Sequence, residues 1–552
     1  MPFLNGFAVA DGSRVALIAP DEGASITYAA LDARANAAAE ALRNRRNLVF
    51  IEARNTIQSV VNYCAALRSG SVVHLLDSFD TKKAQSLIDA YAPNVLMSDD
   101  ATETFNSRPL DLHPDLAALL STSGSTGTPK FVKLSRENLK ANARSIVDYL
   151  GITPADRALN NLKPHYSFGL SIINSHFEAG ASIVLTDRSW MEDAFWQTLD
   201  ETRATSISGV PYSYEMLERR QFDPADHASL RYAAQAGGKL HPRLVRHFAG
   251  LFSRCGKEFF VMYGQTEAAP RMSFLPPDMA ADYPHSIGRA IPGGELMVLD
   301  DDGVPVENLG EEGILAYRGA NVMMGYALEP DELASDDTPD ILLTGDLARE
   351  IAPDLFEITG RVSRFVKPFG LRISLDQVEA FAKTMHAHVA VTGTDEKIVI
   401  ALEGDLGPQA GREIVDASSE RFSLPAETFE ARMFDALPLL SNGKIDYAAI
   451  KRAGSTERVS VFRRIAFLIK DALGFSQDRP ETIMEAFRSV MQTDHISADD
   501  TFESLGGDSL SYVSLTLELE QLLGQNLPRN WTSTSIDALE ALREDARLVR
   551  MA

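Results

Sequence analysis

Cysteine is nearly missing from this chain: 552 residues contain only Cys64 and Cys255. Two thiols cannot build a disulfide framework or a thiolate metal site, and their scarcity predicts a reducing, cytoplasmic setting. Long hydrophobic runs are missing too, so no segment reaches the length needed to span a bilayer. The opening Met1-Pro2-Phe3-Leu4-Asn5-Gly6 has neither the basic region nor the apolar core of a secretory leader. Basic residues are the minority charge, 53 against 77 acidic, for a net charge of −24. That deficit disfavours nonspecific attachment to nucleic acid or to an anionic membrane, both of which need clustered Lys and Arg. An anionic ligand must therefore be met by a few locally placed positive groups. Internal repeats and low-complexity tracts are likewise lacking. What remains is an ordinary globular composition, 45% hydrophobic and 24% charged, over a length that predicts roughly three or four domains.

From the start to about residue 360, short apolar or β-branched runs alternate with longer amphipathic stretches, as in Leu48 to Glu52 followed by Ile57 to Gly70. That alternation predicts an α/β fold. Ala181 to Leu185 and Phe259 to Tyr263 are further strand candidates, each followed by polar or Gly-containing turns where α/β sites form. A smaller block from about 364 to 453 predicts a separate α+β unit, with a strand at Ile398 to Leu402 and a helix at Leu375 to Met385. Val459 to Leu473 is helix-like. The tail from 481 carries 13 acidic and 5 basic residues, with Leu510, Val513 and Leu517 at helical spacing, and predicts a small acidic helical domain.

Ser121-Thr122-Ser123-Gly124-Ser125-Thr126-Gly127-Thr128-Pro129-Lys130 follows the apolar Leu116 to Leu120, a predicted buried strand. Gly124 and Gly127 can aim successive amides at one anion, Ser123, Ser125 and Thr126 add hydroxyls, and Lys130 adds full charge, a mixture suited to polyphosphate. It lacks the Gly-Lys-Ser/Thr ending of a Walker loop. A flexible linker has a similar composition, but the lysine and the preceding strand argue against one. Tyr263-Gly264-Gln265-Thr266-Glu267 leaves a predicted strand with an aromatic face, a hydroxyl and a carboxylate. That set fits ATP and a magnesium ion that keeps most of its waters, or else a plain turn. Thr344-Gly345-Asp346 places a carboxylate at a strand end, able to accept from two ribose hydroxyls, and Gly360-Arg361 adds a guanidinium. Alone, each is a commonplace turn or a solvated charge. Asn442-Gly443 in Ser441 to Asp446 is a hairpin signal that would hold Lys444 at a loop tip.

Together these motifs resemble the adenylate-forming ligases, the superfamily of acyl-CoA synthetases, luciferases and nonribosomal-peptide adenylation domains. The resemblance covers about 450 residues and extends to Val366-Lys367 with Gly370 and Arg372, all in the family order. It implies a large multi-subdomain α/β ligase core at 1–362 and a small mobile α+β subdomain at 363–453. A linker with a helix at 454–480 and an all-α four-helix carrier domain at 481–552 complete it. It implies nucleotide contacts by Ser123 to Gly127, Lys130, Gly237, Gly238, Tyr263, Gly264, Gln265, Thr266, Asp346, Arg361 and Lys444. By the same resemblance Lys130 handles the pyrophosphate portion, Thr266 the α-phosphate, Glu267 magnesium, Tyr263 the adenine face and Asp346 with Arg361 the ribose. Lys444 would bridge substrate carboxylate and α-phosphate, making Lys444, Thr266 and Lys130 the catalytic set. The hinge position, usually Asp or Lys in relatives, is Ser363.

Phe502-Glu503-Ser504-Leu505-Gly506-Gly507-Asp508-Ser509-Leu510 resembles the attachment site of an acyl or peptidyl carrier domain, with 4′-phosphopantetheine on Ser509. A helix start favours an attached phosphate, though a simple capping turn has the same letters. The substrate pocket resembles the family least. Relatives that activate amino acids place an aspartate where alignment puts Ser167, and no acidic residue lies in Pro164 to Leu170, so an ordinary α-amino acid is disfavoured. Alignment also places Phe168, Ala234, Ala236, Met262, Pro270 and Arg271 on the pocket wall. Arg271 meets either a second polar or anionic group of the substrate, a structural ion-pair partner, or the nucleotide side. The expected protein is thus an ATP- and Mg2+-dependent loading didomain of nonribosomal-peptide-synthetase type. It would be armed by a phosphopantetheinyl transferase, would activate a carboxylic acid, and would pass the acyl group to a separate enzyme of a secondary-metabolite assembly line. The alternatives are a ligase that uses free coenzyme A and a catalytically inactive carrier scaffold.

Overall fold

The computed structural model describes residues 11–121, 130–300, 302–362, 364–366, 368, 373–394, 396–404, 407–422, 424–439 and 445–453. In the tail it describes 482–491, 496–502, 504–505, 515, 519, 522–523, 527 and 531–551. The helix expected at Val459 to Leu473, the periodic Leu510, Val513 and Leu517, the loop at 122–129, Ser363, Lys367, Gly370, Arg372, Lys444 and Ser509 lie outside them. The chain divides into two compact units, one of Met1–Val366 with Leu371–Gln377, the other of Lys367–Gly370 with Val378–Ala552.

The first unit holds two large sheets, as the alternating pattern of strands and helices demands. In the thirteen-stranded sheet, Val15–Ala19, Ser182–Leu185, Arg157–Asn160, Ser206–Gly209, Tyr232–Gln235 and Glu258–Gly264 lie side by side and parallel. Beyond Glu258–Gly264 the sheet turns antiparallel through Arg271–Leu275, Ser286–Ala290, Leu355–Arg361 and Leu342–Ala352. The seven-stranded sheet centres on Leu48–Glu52 and Val72–Leu76, every residue of which is buried. Strands covered on both faces read as unbroken apolar runs, which is why Leu48 to Glu52 stood out in the sequence. Helices from both halves join the sheets in one core: Leu31, Val60, Leu139 and Phe177 cluster with Leu17 of one sheet and Ile51 of the other.

Two features of this core aim the site. Gly209, Gln235 and Val261 stand in register, so their strands deliver Ala236 to Gly238 and Tyr263 to Glu267 at one sheet edge, where open α/β sheets bind ligands. In the other sheet Leu116–Ser121 and Phe131–Ser135 pair antiparallel, with Ser121 opposite Phe131. The chain then enters the helix Arg136–Leu150 through a reciprocal capping box: Ser135 Oγ accepts from the Asn138 amide, and the Asn138 side chain accepts from the Ser135 amide.

In the second unit Val389–Gly393, Ile398–Glu403 and Phe429–Phe434 form a three-stranded sheet backed by Gly407–Phe422. The helix Leu375–Met385 has the bounds expected from sequence. Pro438 and Leu439 return antiparallel on Ile445 and Asp446, with the Asp446 amide donating to Pro438 O at 2.7 Å. Farther on, the helices Ile483–Met491 and Ile536–Met551 share a buried cluster of Ile483, Phe487, Phe502, Leu519, Trp531 and Leu539. Among the described residues no helix is long and apolar enough to cross a membrane.

Candidate active site

Asp346 anchors the site. It follows Gly345, whose φ of +74° is a left-handed conformation natural to glycine, on the strand Leu342–Ala352. Cross-strand register sets it opposite Arg361, whose Nε donates to Asp346 Oδ1 at 3.0 Å. Tyr263 Oη donates to the other carboxylate oxygen at 2.5 Å. Burial, then the Asp346 charge, push the Tyr263 hydroxyl well above its ordinary range, so it stays a donor. Among the described residues each carboxylate oxygen accepts one bond and keeps a lone pair, and the side chain is only 11% exposed. Asp346, Arg361 and Tyr263 are thus brought together as the sequence implied.

Gly264 cannot be replaced in place, since a Cβ there would lie 1.9 Å from Pro270 O. Gly237, with φ +85°, has Tyr166 Oη 2.5 Å from where a Cβ would be. Both glycines admit a second chain segment at the sheet edge, and Gly238 stands beside Pro211. Gln265 precedes the short 3-10 turn Thr266–Ala268, which holds Thr266 and Glu267 half-buried.

Glu267 reveals a residue that the sequence reading missed. Its Oε1 accepts from Tyr326 Oη at 2.8 Å, and Lys130 Nζ lies 3.8 Å from the centre of the Tyr326 ring. Tyr326 thus stands between the lysine that closes the 121–130 tract and the predicted metal carboxylate, in a cation–π contact with the one and a hydrogen bond with the other. The arrangement comes from register: Tyr326–Ala327 pairs with Phe131–Ser135, Tyr326 opposite Val132, so Lys130 is the diagonal neighbour. Lys133, on the same strand and fully buried, fixes the segment after Tyr326 by donating to Glu332 O, Ser335 O, Ser335 Oγ and Asp337 Oδ2 at 2.8 to 3.0 Å. The only cue in the sequence was a Gly-Tyr pair after an apolar stretch, too common to single out.

Glu267 Oε2 has no partner among the described residues, and these contain no group of three or more side chains able to hold a metal. One free carboxylate oxygen suits a hard cation that keeps waters and phosphate oxygens, the habit of Mg2+, rather than a metal caged by protein.

The predicted pocket wall is partly assembled. Phe168, Met262 and Arg271 line a narrow cavity, and Ala234 and Ala236 pack in the same apolar cluster as Phe168 and Met262. Pro270 is buried behind Gly264, and Ser167, at the first turn of the helix Ser167–Ala179, is not on the cavity lining. That helix supplies Phe168, Ser171, Ile172 and Ser175 instead, a spacing that puts them on one face. The serines on an otherwise apolar stripe were a legible signal. Arg271 has no ion pair among the described residues: Nη2 donates to Ser171 Oγ at 3.4 Å, and Nε is buried without a partner. At the other end of the lining, His176 Nδ1 lies 2.9 Å from Ile172 O. A carbonyl only accepts, so Nδ1 carries the proton and Nε2 is left bare and buried.

Residues 80–327 match the profile described as AMP-binding enzyme, and residues 481–542 that of the phosphopantetheine attachment site. The chain thus carries an AMP-binding enzyme domain followed by a phosphopantetheine attachment-site domain. The ligase is 27% identical to phosphinothricin tripeptide synthetase PhsC of Streptomyces viridochromogenes, over 93% of this chain and 50% of that protein. Over 51% of this chain it is 31% identical to the medium-chain fatty-acid–CoA ligase of Escherichia coli, of which it covers 50%. The o-succinylbenzoate coenzyme A synthetase of Bacillus subtilis, solved with ATP and magnesium, superposes with a TM-score of 0.66 at 23% identity, covering 80% of this chain and 97% of that one. The ligase spans half or less of the length of the peptide synthetases it matches.

Proposed function

We propose that this ligase condenses a carboxylic acid with ATP to an acyl-adenylate, releasing pyrophosphate, and then loads the acyl group onto its own carrier domain at Ser509. The observation that carries the first step is the Asp346 clasp beside the Lys130–Tyr326–Glu267 chain, all within the first unit. Asp346, held from both sides, presents its remaining lone pairs to the two ribose hydroxyls, with Arg361 alongside. Tyr263 offers its ring to adenine, and Gly237, Gly238, Gly264 and Gln265 shape the backbone around the nucleotide. Lys130 and the loop Ser123 to Gly127 receive the pyrophosphate portion, while Thr266 donates to the α-phosphate. Mg2+, held through Glu267, would offset phosphate charge. Carboxylate oxygen attacks the α-phosphorus as the bond to pyrophosphate breaks, and Lys444 neutralises the negative charge that accumulates between the two anions.

The phosphopantetheine arm on Ser509 supplies the thiol: its sulfur bonds to the acyl carbon as the bond to AMP breaks, and AMP and the thiol proton leave. The match of residues 481–542 to the attachment-site profile supports this half. A phosphopantetheinyl transferase installs the arm, and a separate enzyme takes the acyl group onward. The small subdomain beginning near Ser363 turns between the two half reactions. Kinship with a fatty-acid–CoA ligase favours one second reading, in which free coenzyme A is the acceptor and the tail is an appendage.

ATP–pyrophosphate exchange across aliphatic, aromatic, hydroxy and amino acids tests the first step. Lys444→Ala is expected to lower exchange by about 100-fold or more. Intact mass after treatment with a phosphopantetheinyl transferase tests the second. The protein should gain one arm and then, with ATP and acid, one acyl group, and Ser509→Ala should gain neither. An arm that never acylates, with acyl-CoA forming instead, would favour the coenzyme A reading.

A further inference from the structure

Arg271 is the one charged group among the described residues that line the narrow cavity, and only 4% of it is exposed. Its guanidinium carbon lies 4.7 Å from the centre of the Phe168 ring. Its bond to Ser171 Oγ is long at 3.4 Å, Nε is buried with no partner, and no carboxylate forms an ion pair with it among the described residues. The backbone around it is fully occupied, since Arg271 O accepts from both the Asn142 and Asn321 amides. A guanidinium in such a place is poorly satisfied, because an aromatic face and two neutral hydroxyls, those of Ser171 and Tyr149, replace only part of the hydration it loses. Ile146, Phe168, Ile172 and Met262 offer it no acceptor, and the polar groups on the same lining, Tyr149, Ser171, Ser175, His176 and Ser208, are neutral and supply no counter-charge. Tyr149, pushed up to about 12 by burial against the pull of Arg271, stays a neutral phenol and is not a counter-ion.

We propose that the acid activated by this ligase carries a second, distal carboxylate, and that Arg271 is the specificity-determining residue that receives it. Resting on the ligase reading, this names the substrate class. The position is favourable, because Arg271 lies opposite Gly264 in the strand pair, next to the Tyr263 to Glu267 segment assigned to the nucleotide to which the acid is joined. Met262 and Phe168 would flank the apolar middle of the acid and must part to admit it, since the cavity between them is only about 10 Å³. The planar fork of Arg271, with Nε open, matches a carboxylate held through two parallel bonds. A methyl group in the same place would leave the guanidinium unpaired and add nothing, so diacids should be selected over acids ending in methyl.

The test is pyrophosphate exchange with succinate, glutarate and terephthalate, each against butyrate, pentanoate and 4-methylbenzoate respectively. At least one diacid should exceed its methyl-ended counterpart by about tenfold or more in kcat/KM. Arg271→Met should reverse that preference, and Arg271→Lys should keep it in reduced form. Thermal unfolding with Mg-ATP verifies that each variant is folded, and the wild-type ratio stands by itself if a variant is not. Equal or better exchange with the methyl-ended acids, or a ratio unmoved by Arg271→Met, overturns the inference and leaves the ligase reading intact. Silence with these and with the wider panel of acids overturns the ligase reading and the inference with it.

Discussion

Single side chains here do their work in pairs, and Tyr326 shows it most clearly. Its phenol spends its proton on Glu267 while its ring carries Lys130, so one residue sets the spacing of a cation and a carboxylate. Burial, then the Glu267 charge, hold the hydroxyl well above its usual range, so it remains a donor at any working pH. Tyr326→Phe keeps the ring and deletes the bond. Because the tyrosine is 36% exposed, water replaces part of what is lost. The expected outcome is a rise in KM for Mg-ATP of about three- to tenfold with kcat little changed. Initial rates at saturating acid check this, and an unchanged KM would show that Glu267 positions itself. Nothing in the letters near residue 326 announced the role, because it arises from a strand register joining distant stretches of chain.

Among the elements, the helix Ser167–Ala179 is both wall and liability. Its apolar stripe packs into the core, yet it buries His176, whose imidazole is pushed down to about 4 by burial, against the bond to Ile172 O. A histidine whose folded pKa lies below its unfolded value near 6.5 binds more protons when unfolded. Stability therefore falls as pH drops through 6.5 toward 4. Between pH 7 and 5 this one group removes about 2 kcal/mol. Denaturant unfolding at the two pH values should show that loss in wild type and show it reduced by a similar amount in His176→Gln. The strand Ser182–Leu185 beside this helix was legible because a buried parallel strand is an uninterrupted apolar run, as it is at Leu48 to Glu52 in the other sheet. The helix Leu375–Met385 was legible from its 3.6-residue period. The site was legible where a motif is contiguous, as at Tyr263 to Glu267 or Thr344 to Asp346. It was not where function depends on which residues a sheet sets side by side. Arg271 shows the difference: sequence left it three partners, and packing placed it among apolar walls.

At the scale of the whole molecule, the proposed function has two half reactions share one substrate, and a turning point in the chain would serve both. Ser363 is the proposed pivot, a serine where relatives have a charge. Its neighbours are well anchored within the first unit. Arg364 pairs with Asp376 at 2.9 Å, and Phe365–Val366 forms a two-stranded ribbon with Ile373–Ser374. Proline fixes φ and removes an amide donor, so Ser363→Pro should lock one arrangement. Thioester formation on the carrier is expected to fall about tenfold or more while pyrophosphate exchange stays within about threefold. Quench-flow with labelled acid separates the two, and equal loss of both would move the pivot elsewhere. The ribbon has a further consequence for anyone wishing to isolate the catalytic core. The chain leaves the first compact unit after Val366, returns at Leu371 and leaves again after Gln377. A truncation placed at the apparent end of the core, before Ser363, would discard both strands of the ribbon and both members of the ion pair. One placed after Met385, at the end of the helix that opens at Leu375, keeps them, so the natural place to cut the protein lies past its pivot and not before it.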